Sequence, residues 1–191
     1  MVTAADGPVP VGSVVAMKPK RIWRRLALLV GALVAVLATS CDYQTFRLAF
    51  GDVEYNLSGL IDERVRLDES GYTPDAAAMI DSAFITGAAG DLNGDGLLDG
   101  VAVLTTNTGG TGFFYTVHAI LADGDGGSRD VGSVFIGDRV TVTGVELSGP
   151  RIEVSRLVRA DDEPFVAKPT IPSPVHLILE DGELLVVTPT E

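Results

Sequence analysis

Val175-His-Leu-Ile-Leu-Glu-Asp-Gly-Glu-Leu-Leu-Val-Val-Thr188 decides the fold. Two apolar runs of strand length flank an Asp-Gly pair. A tight hairpin turn needs positive φ at both central residues, and Asp followed by Gly accepts it. The same grammar recurs upstream. Arg139-Val-Thr-Val-Thr-Gly-Val-Glu-Leu147 faces Arg151-Ile-Glu-Val-Ser-Arg-Leu157 across Ser148-Gly-Pro150. Val101-Ala-Val-Leu-Thr105 and Phe113-Phe-Tyr-Thr-Val-His-Ala-Ile-Leu121 flank Asn107-Thr-Gly-Gly-Thr-Gly112. Asp123-Gly-Asp-Gly-Gly127 then precedes a strand near Gly132-Ser-Val-Phe-Ile136, and Ile61-Asp-Glu-Arg-Val-Arg-Leu67 and Ser82-Ala-Phe-Ile-Thr86 read as earlier strands. Short strands separated by turn chemistry predict an all-β fold, an antiparallel β-sandwich or open barrel built from hairpins, over residues 56–191. Residues 87–99 are expected to form a loop, and 161–174 an acidic, Pro-containing surface loop. Asp75-Ala-Ala-Ala-Met-Ile80 is the only helical turn expected in this domain.

The N-terminal part has a different grammar. Lys18-Pro-Lys-Arg-Ile-Trp-Arg-Arg25 precedes Leu26-Ala-Leu-Leu-Val-Gly-Ala-Leu-Val-Ala-Val-Leu-Ala-Thr-Ser40, and then comes Cys41. A membrane span needs about 20 apolar residues. This run is shorter and fits the apolar region of a signal peptide. Residues 1–16 carry no positive charge, so a start at Met17 gives the signal normal proportions, and 1–16 are expected to be a disordered leader or mis-assigned upstream sequence. Residues 17–40 are expected to be a helical signal peptide. The basic run, apolar run, small residues and cysteine resemble a bacterial lipobox, with Ala38 where Leu is usual. The resemblance implies a bacterial lipoprotein whose Cys41 sulfur receives a diacylglycerol. It further implies a lipid anchor on the extracytoplasmic face of a membrane of the cell envelope, with 41–55 as lipidated N-terminus and linker. Residues 42–56 read as linker or a first strand, since Val53-Glu-Tyr-Asn-Leu57 alternates weakly. The alternative is a soluble secreted protein, because Ala38-Thr-Ser40 also fits an ordinary small-x-small cleavage site.

Charge narrows the partners. The chain carries a formal net charge of −12. Five of its basic residues but only one acid, Asp6, precede Cys41, so the rest is more acidic still. Such a surface repels nucleic acid and anionic lipid, and no nucleic-acid partner is expected. Cys41 is the only cysteine, so the fold must rest on apolar packing without a disulfide.

Asp91-Leu-Asn-Gly-Asp-Gly-Leu-Leu-Asp99 is the stretch suited to chemistry. Asp91, Asn93, Asp95 and Asp99 occupy positions one, three, five and nine, with glycine at six for the sharp turn. This spacing curls oxygen ligands around a hard cation, with the Leu97 carbonyl in reach of the seventh place. Calcium is therefore expected here, with Asp81 as a candidate extra ligand. The competing expectation is an ion-free turn held by side-chain-to-backbone hydrogen bonds. Position twelve is Ala102, so the bidentate acid of a helix-loop-helix calcium site is absent. The run resembles the Asp-rich calcium loops of FG-GAP and related extracellular β repeats, in a single copy. Residues 84–147 also resemble a domain common in bacterial lipoproteins and envelope proteins, which implies location and β architecture and no activity.

No catalytic constellation stands out. His118 and His176 lie in apolar alternating runs and read as strand-facing residues. No Gly-x-Ser-x-Gly elbow is present. Thr108-Gly-Gly-Thr-Gly112 lacks the lysine and helix of a phosphate loop. Two functions remain. One is a non-enzymatic envelope lipoprotein carrying a β-rich, calcium-stabilised binding or structural module for an unidentified envelope ligand or protein. The other is a cell-envelope hydrolase of polysaccharide or peptide that works through paired carboxylates such as Asp123 with Asp125 or Asp161 with Asp162.

Overall fold

The computed structural model describes residues 42–73 and 80–188. The expected leader, signal peptide and Cys41, and most of the expected helical turn at 75–80, lie outside the described residues. No described helix is long and apolar enough to cross a membrane.

Among the described residues the fold is all-β, with antiparallel sheets and one short helix. Helix α1 (Tyr43–Phe50) comes first, then β1 (Glu54–Asn56) and β2 (Arg64–Arg66), paired as a ribbon. β3 (Asp81–Gly90), β4 (Asp99–Asn107), β5 (Phe114–Ala122) and β6 (Ser128–Asp138) form one sheet in sequence order. β7 (Thr141–Ser148), β8 (Arg151–Val158), β10 (Val175–Glu180) and β11 (Glu183–Val187) form the second, in the order β11-β10-β8-β7. A two-residue strand, β9 (Ile171–Pro172), adds to β8.

The hairpins follow their turn chemistry. Glu180 pairs with Glu183, and Asp181 and Gly182 take φ of 51° and 80°, as the Asp-Gly pair requires. Ser148 pairs with Arg151 across the 149–150 turn.

Three stretches differ from expectation. β3 runs on to Gly90, so the loop begins at Asp91 rather than at 87. β9 interrupts the expected 161–174 loop. Residues 43–50 are a helix where a linker or strand was expected. Its cause is local: the Asp42 carboxylate accepts the Gln44 and Thr45 amides at 3.0 and 3.1 Å, which caps the N-terminus. Gly51, at φ 72°, sends its N–H back to the Arg47 carbonyl and ends the helix. Phe46 and Phe50, one turn apart, are both buried.

Those two rings belong to one of two apolar clusters. Ala102, Leu104 and Ile120, on one face of the first sheet, pack with Phe46, Phe50, Val53, Tyr55 and Leu57. On the opposite face Val101, Val103, Val117 and Ala119 pack against Val145, Ile152, Val154, Leu177 and Leu184 of the second sheet. The first sheet is thus a middle layer, and its central strands β4 and β5 are buried on both faces. Each fully buried Val, Leu, Ile or Phe contributes about 1.5–3 kcal/mol of transfer free energy. Glycine admits the helix. A Cβ at Gly87 would sit 2.7 Å from the Val101 carbonyl oxygen and 2.8 Å from the Phe46 ring, and one at Gly100 would sit 2.8 Å from the Phe50 ring.

A buried polar chain fastens the N-terminal layer to this sheet. His118, as expected on a strand, is 0% exposed. Its Nε2 lies 2.8 Å from Thr116 Oγ1 and its Nδ1 lies 2.8 Å from Asp130 Oδ2. The carboxylate only accepts, so Nδ1 carries the hydrogen. The Asn56 amide of β1 donates to the same Asp130 oxygen at 2.7 Å, and Gly132 N–H donates to the other at 3.0 Å. The Asp130 side chain is 1% exposed. Losing one partner of a buried hydrogen bond leaves the other desolvated and unpaired. Asp130→Ala is therefore expected to cost about 3 kcal/mol or more, several buried donors losing their acceptor at once. Urea unfolding of the two proteins, compared at constant m, measures this.

Candidate functional site

The Asp-rich loop connects β3 to β4. Gly90 pairs with Asp99, so the eight residues between them close on a paired base. The loop is held by its own side chains. Asp91 accepts the Gly94 amide at 2.7 Å on one oxygen and the Gly96 amide at 3.0 Å on the other. Asn93 Oδ1 accepts the Asp95 amide at 2.9 Å, and its Nδ2 donates to Asp95 Oδ2 at 2.8 Å. Asp95 Oδ1 accepts the Leu97 amide at 2.8 Å. Gly94 and Gly96 take φ of 78° and 84°, the left-handed region that side chains with a Cβ resist.

Asp99 differs from its neighbours in burial. It is 0% exposed and receives the Leu92 amide at 2.9 Å and the Ala122 amide at 3.0 Å. One carboxylate thus ties the start of its own loop to the end of β5. The structure brings a carboxylate oxygen from each of Asp91, Asp95 and Asp99 within 4.8 Å of one another, an arrangement able to hold a metal ion. Asn93 spends its carbonyl oxygen on the Asp95 amide. The Leu97 side chain sits at the rim, where a Cβ on Gly124 of the next turn would be 3.6 Å away. Asp81 does not join them. It stands at the far end of β3, paired with Asn107, and nine residues of strand, roughly 30 Å, separate it from Gly90. Its carboxylate takes a hydrogen bond from the Tyr72 hydroxyl, which raises the phenol's pKa.

The other carboxylates weighed for chemistry do structural duty or stay in solvent. Asp123 accepts the Asp125 and Gly127 amides at 2.9 and 2.8 Å, and these bonds hold its pKa below the usual carboxylate value. Asp161 and Asp162 are exposed. His176 pairs with Glu153 at 3.6 Å, on neighbouring strands of the second sheet. The Thr116–His118–Asp130 chain has the order of a nucleophile, base and orienting acid, but both of its ends are sealed in the core. Asp130 escaped the sequence reading. Its signal was a lone acid in a strand running beside an apolar one. No family model, no curated protein and no solved structure matches the chain.

Asp99→Ala would strand the Leu92 and Ala122 amides whatever ion is present, and about 2–4 kcal/mol of stability should be lost in chelator. Asp95→Ala, at an exposed site, should change stability in chelator by no more than about 0.5 kcal/mol. Parallel denaturant melts in EDTA separate the two.

Proposed function

We propose that this chain is a lipid-anchored lipoprotein on the extracytoplasmic face of a bacterial envelope membrane, whose β domain is a binding or structural module stiffened by calcium at Asp91–Asp99. The observation that carries the calcium reading is Asp99. It is a fully buried carboxylate with no cationic side chain paired to it among the described residues, and two further carboxylates converge on it. Its two amide donors offset only part of the cost of burying that charge. Each carboxylate oxygen has two lone pairs, so one can hold an amide while the other meets an ion. Magnesium demands a near-ideal octahedron and gives up its waters reluctantly. The flexible, oxygen-only donor set of an exposed loop suits calcium, which tolerates irregular coordination, better than magnesium. With no bidentate acid at position twelve, the affinity should be weak, on the order of 10⁻⁴–10⁻³ M, in the range of extracellular modules.

The anchor rests on the order of basic run, apolar run, small residues and Cys41. Asp42, the residue after Cys41, already caps α1. A lipid on Cys41 would therefore join the domain with almost no intervening linker. More than one acyl chain at that site gives stable attachment where one is marginal.

Two experiments test this reading. Thermal unfolding in about 10 mM calcium against EDTA should raise the midpoint of the wild type, with about 1.4–2.7 kcal/mol gained at ten to a hundred times Kd. Asp95→Ala should lose most of that gain, and an unmoved wild-type midpoint removes the ion. Cell fractionation should find the wild type in the membrane fraction and Cys41→Ser released from it. A wild type recovered detergent-free with an unmodified Cys41 thiol would refute the anchor.

A further inference from the structure

Arg139, Arg156 and Arg159 line one cavity of about 460 Å³ with Phe165, between the β6–β7 turn and the segment that follows β8. The chain is strongly acidic, yet two of these three arginines meet no carboxylate among the described residues. Arg156 donates through Nε to the Ser173 carbonyl at 2.8 Å and through Nη2 to the Ser173 hydroxyl at 3.5 Å. Arg159 donates through Nη1 to the Arg139 carbonyl at 3.0 Å and through Nη2 to the Asp138 carbonyl at 3.4 Å. Carbonyls fix a guanidinium in place without cancelling its charge. Arg139 alone has an acid, Asp138, at 2.6 Å, and its Nη2 also holds the Thr111 carbonyl. Arg156 is half-buried, and the desolvation lowers its pKa. Its Nη1 lies against Gly137, where a Cβ would approach within 3.0 Å.

The Phe165 ring completes the cavity. It is 71% exposed, and the Arg139 and Arg159 guanidiniums sit 5.0 and 5.6 Å from its centroid. This is cation–π distance, and it holds both charges near one aromatic plane. Asp138, Asp161 and Glu163 also line the cavity. Asp138 is bound to Arg139, and Glu163 accepts the Ala160 amide at 2.9 Å. The local charge is close to balanced, so a long-range field does not draw anions in. What remains is a set of fixed, directed N–H donors without an acidic partner, beside an open aromatic face. Planar guanidinium forks suit carboxylate and phosphate oxygens.

We propose that this cavity binds a small oxyanion, a carboxylate or phosphate group carried on an apolar or aromatic body, with Arg156 and Arg159 gripping the anion and Phe165 stacking against the body. The site goes beyond the function proposed above and depends on neither the lipid nor the calcium loop. The probes are inorganic phosphate, phenyl phosphate and benzoate, titrated into the protein in calcium-free buffer at constant ionic strength. Binding is read from the arginine Nε–H resonances and from the thermal midpoint. The Arg156 and Arg159 resonances should shift and saturate, and phenyl phosphate should bind tighter than inorganic phosphate. Arg156→Gln and Arg159→Gln should each weaken binding by about tenfold or more, the scale of a lost charge-assisted bond. Phe165→Ala should erase the preference for the phenyl ester. Arg151→Gln, far along β8, should change nothing. Resonances that do not move with any probe, or a loss in Arg151→Gln equal to that in Arg159→Gln, would overturn the site. So would a midpoint that rises equally with phosphate in the wild type and in Arg159→Gln. Should Arg156→Gln fail to fold, Arg159→Gln decides alone. Tight binding of phenyl phosphate with none of benzoate restricts the ligand to phosphate, and the reverse restricts it to carboxylate.

Discussion

The sheet β3–β6 must be covered on both faces, and the rest of the architecture answers that demand. Val101-Ala-Val-Leu104 and Thr116-Val-His-Ala-Ile120 have no solvent side. One face meets the second sheet and the other meets α1 and the β1–β2 ribbon. A single hairpin sandwich would leave Leu104, Ile120 and His118 in water. Removing the N-terminal layer would therefore expose apolar surface and also strip Asp130 of the Asn56 amide.

The hairpins were legible because their turns carry specific chemistry. Asp181-Gly182 and Gly149 take the positive φ that their residue types permit, and the register follows. The N-terminal helix was not legible from periodicity, since eight residues offer only one apolar pair, Phe46 and Phe50. Its signals were the Asp42 cap and the Gly51 stop, which mark ends rather than a face. In the loop, the spacing correctly brought Asp91, Asp95 and Asp99 together. It was silent on how differently they are placed, because burial of Asp99 depends on Ala122 from a strand 23 residues on. The same limit hid Asp130, whose partners are His118 and Asn56.

The two candidate sites occupy opposite ends of the middle sheet. Asp99 and Ala122 mark one end, beside the 123–127 turn, and Phe114 paired with Asp138 marks the other. The eleven residues of β6 run between them, roughly 35 Å of strand. The first site gathers carboxylates alone, whereas the second sets three guanidiniums among three acids. An ion at one end has no direct contact through which to alter the other.

The glycine sockets and the order of synthesis together constrain how the chain matures. Phe46 and Phe50 leave the ribosome before Gly87 and Gly100, the residues against which they seat. The first layer to be made therefore cannot seat until Gly100, about fifty residues beyond Phe50, has followed it. Until then the two rings have no socket, and their apolar surface stays open to wrong contacts during synthesis.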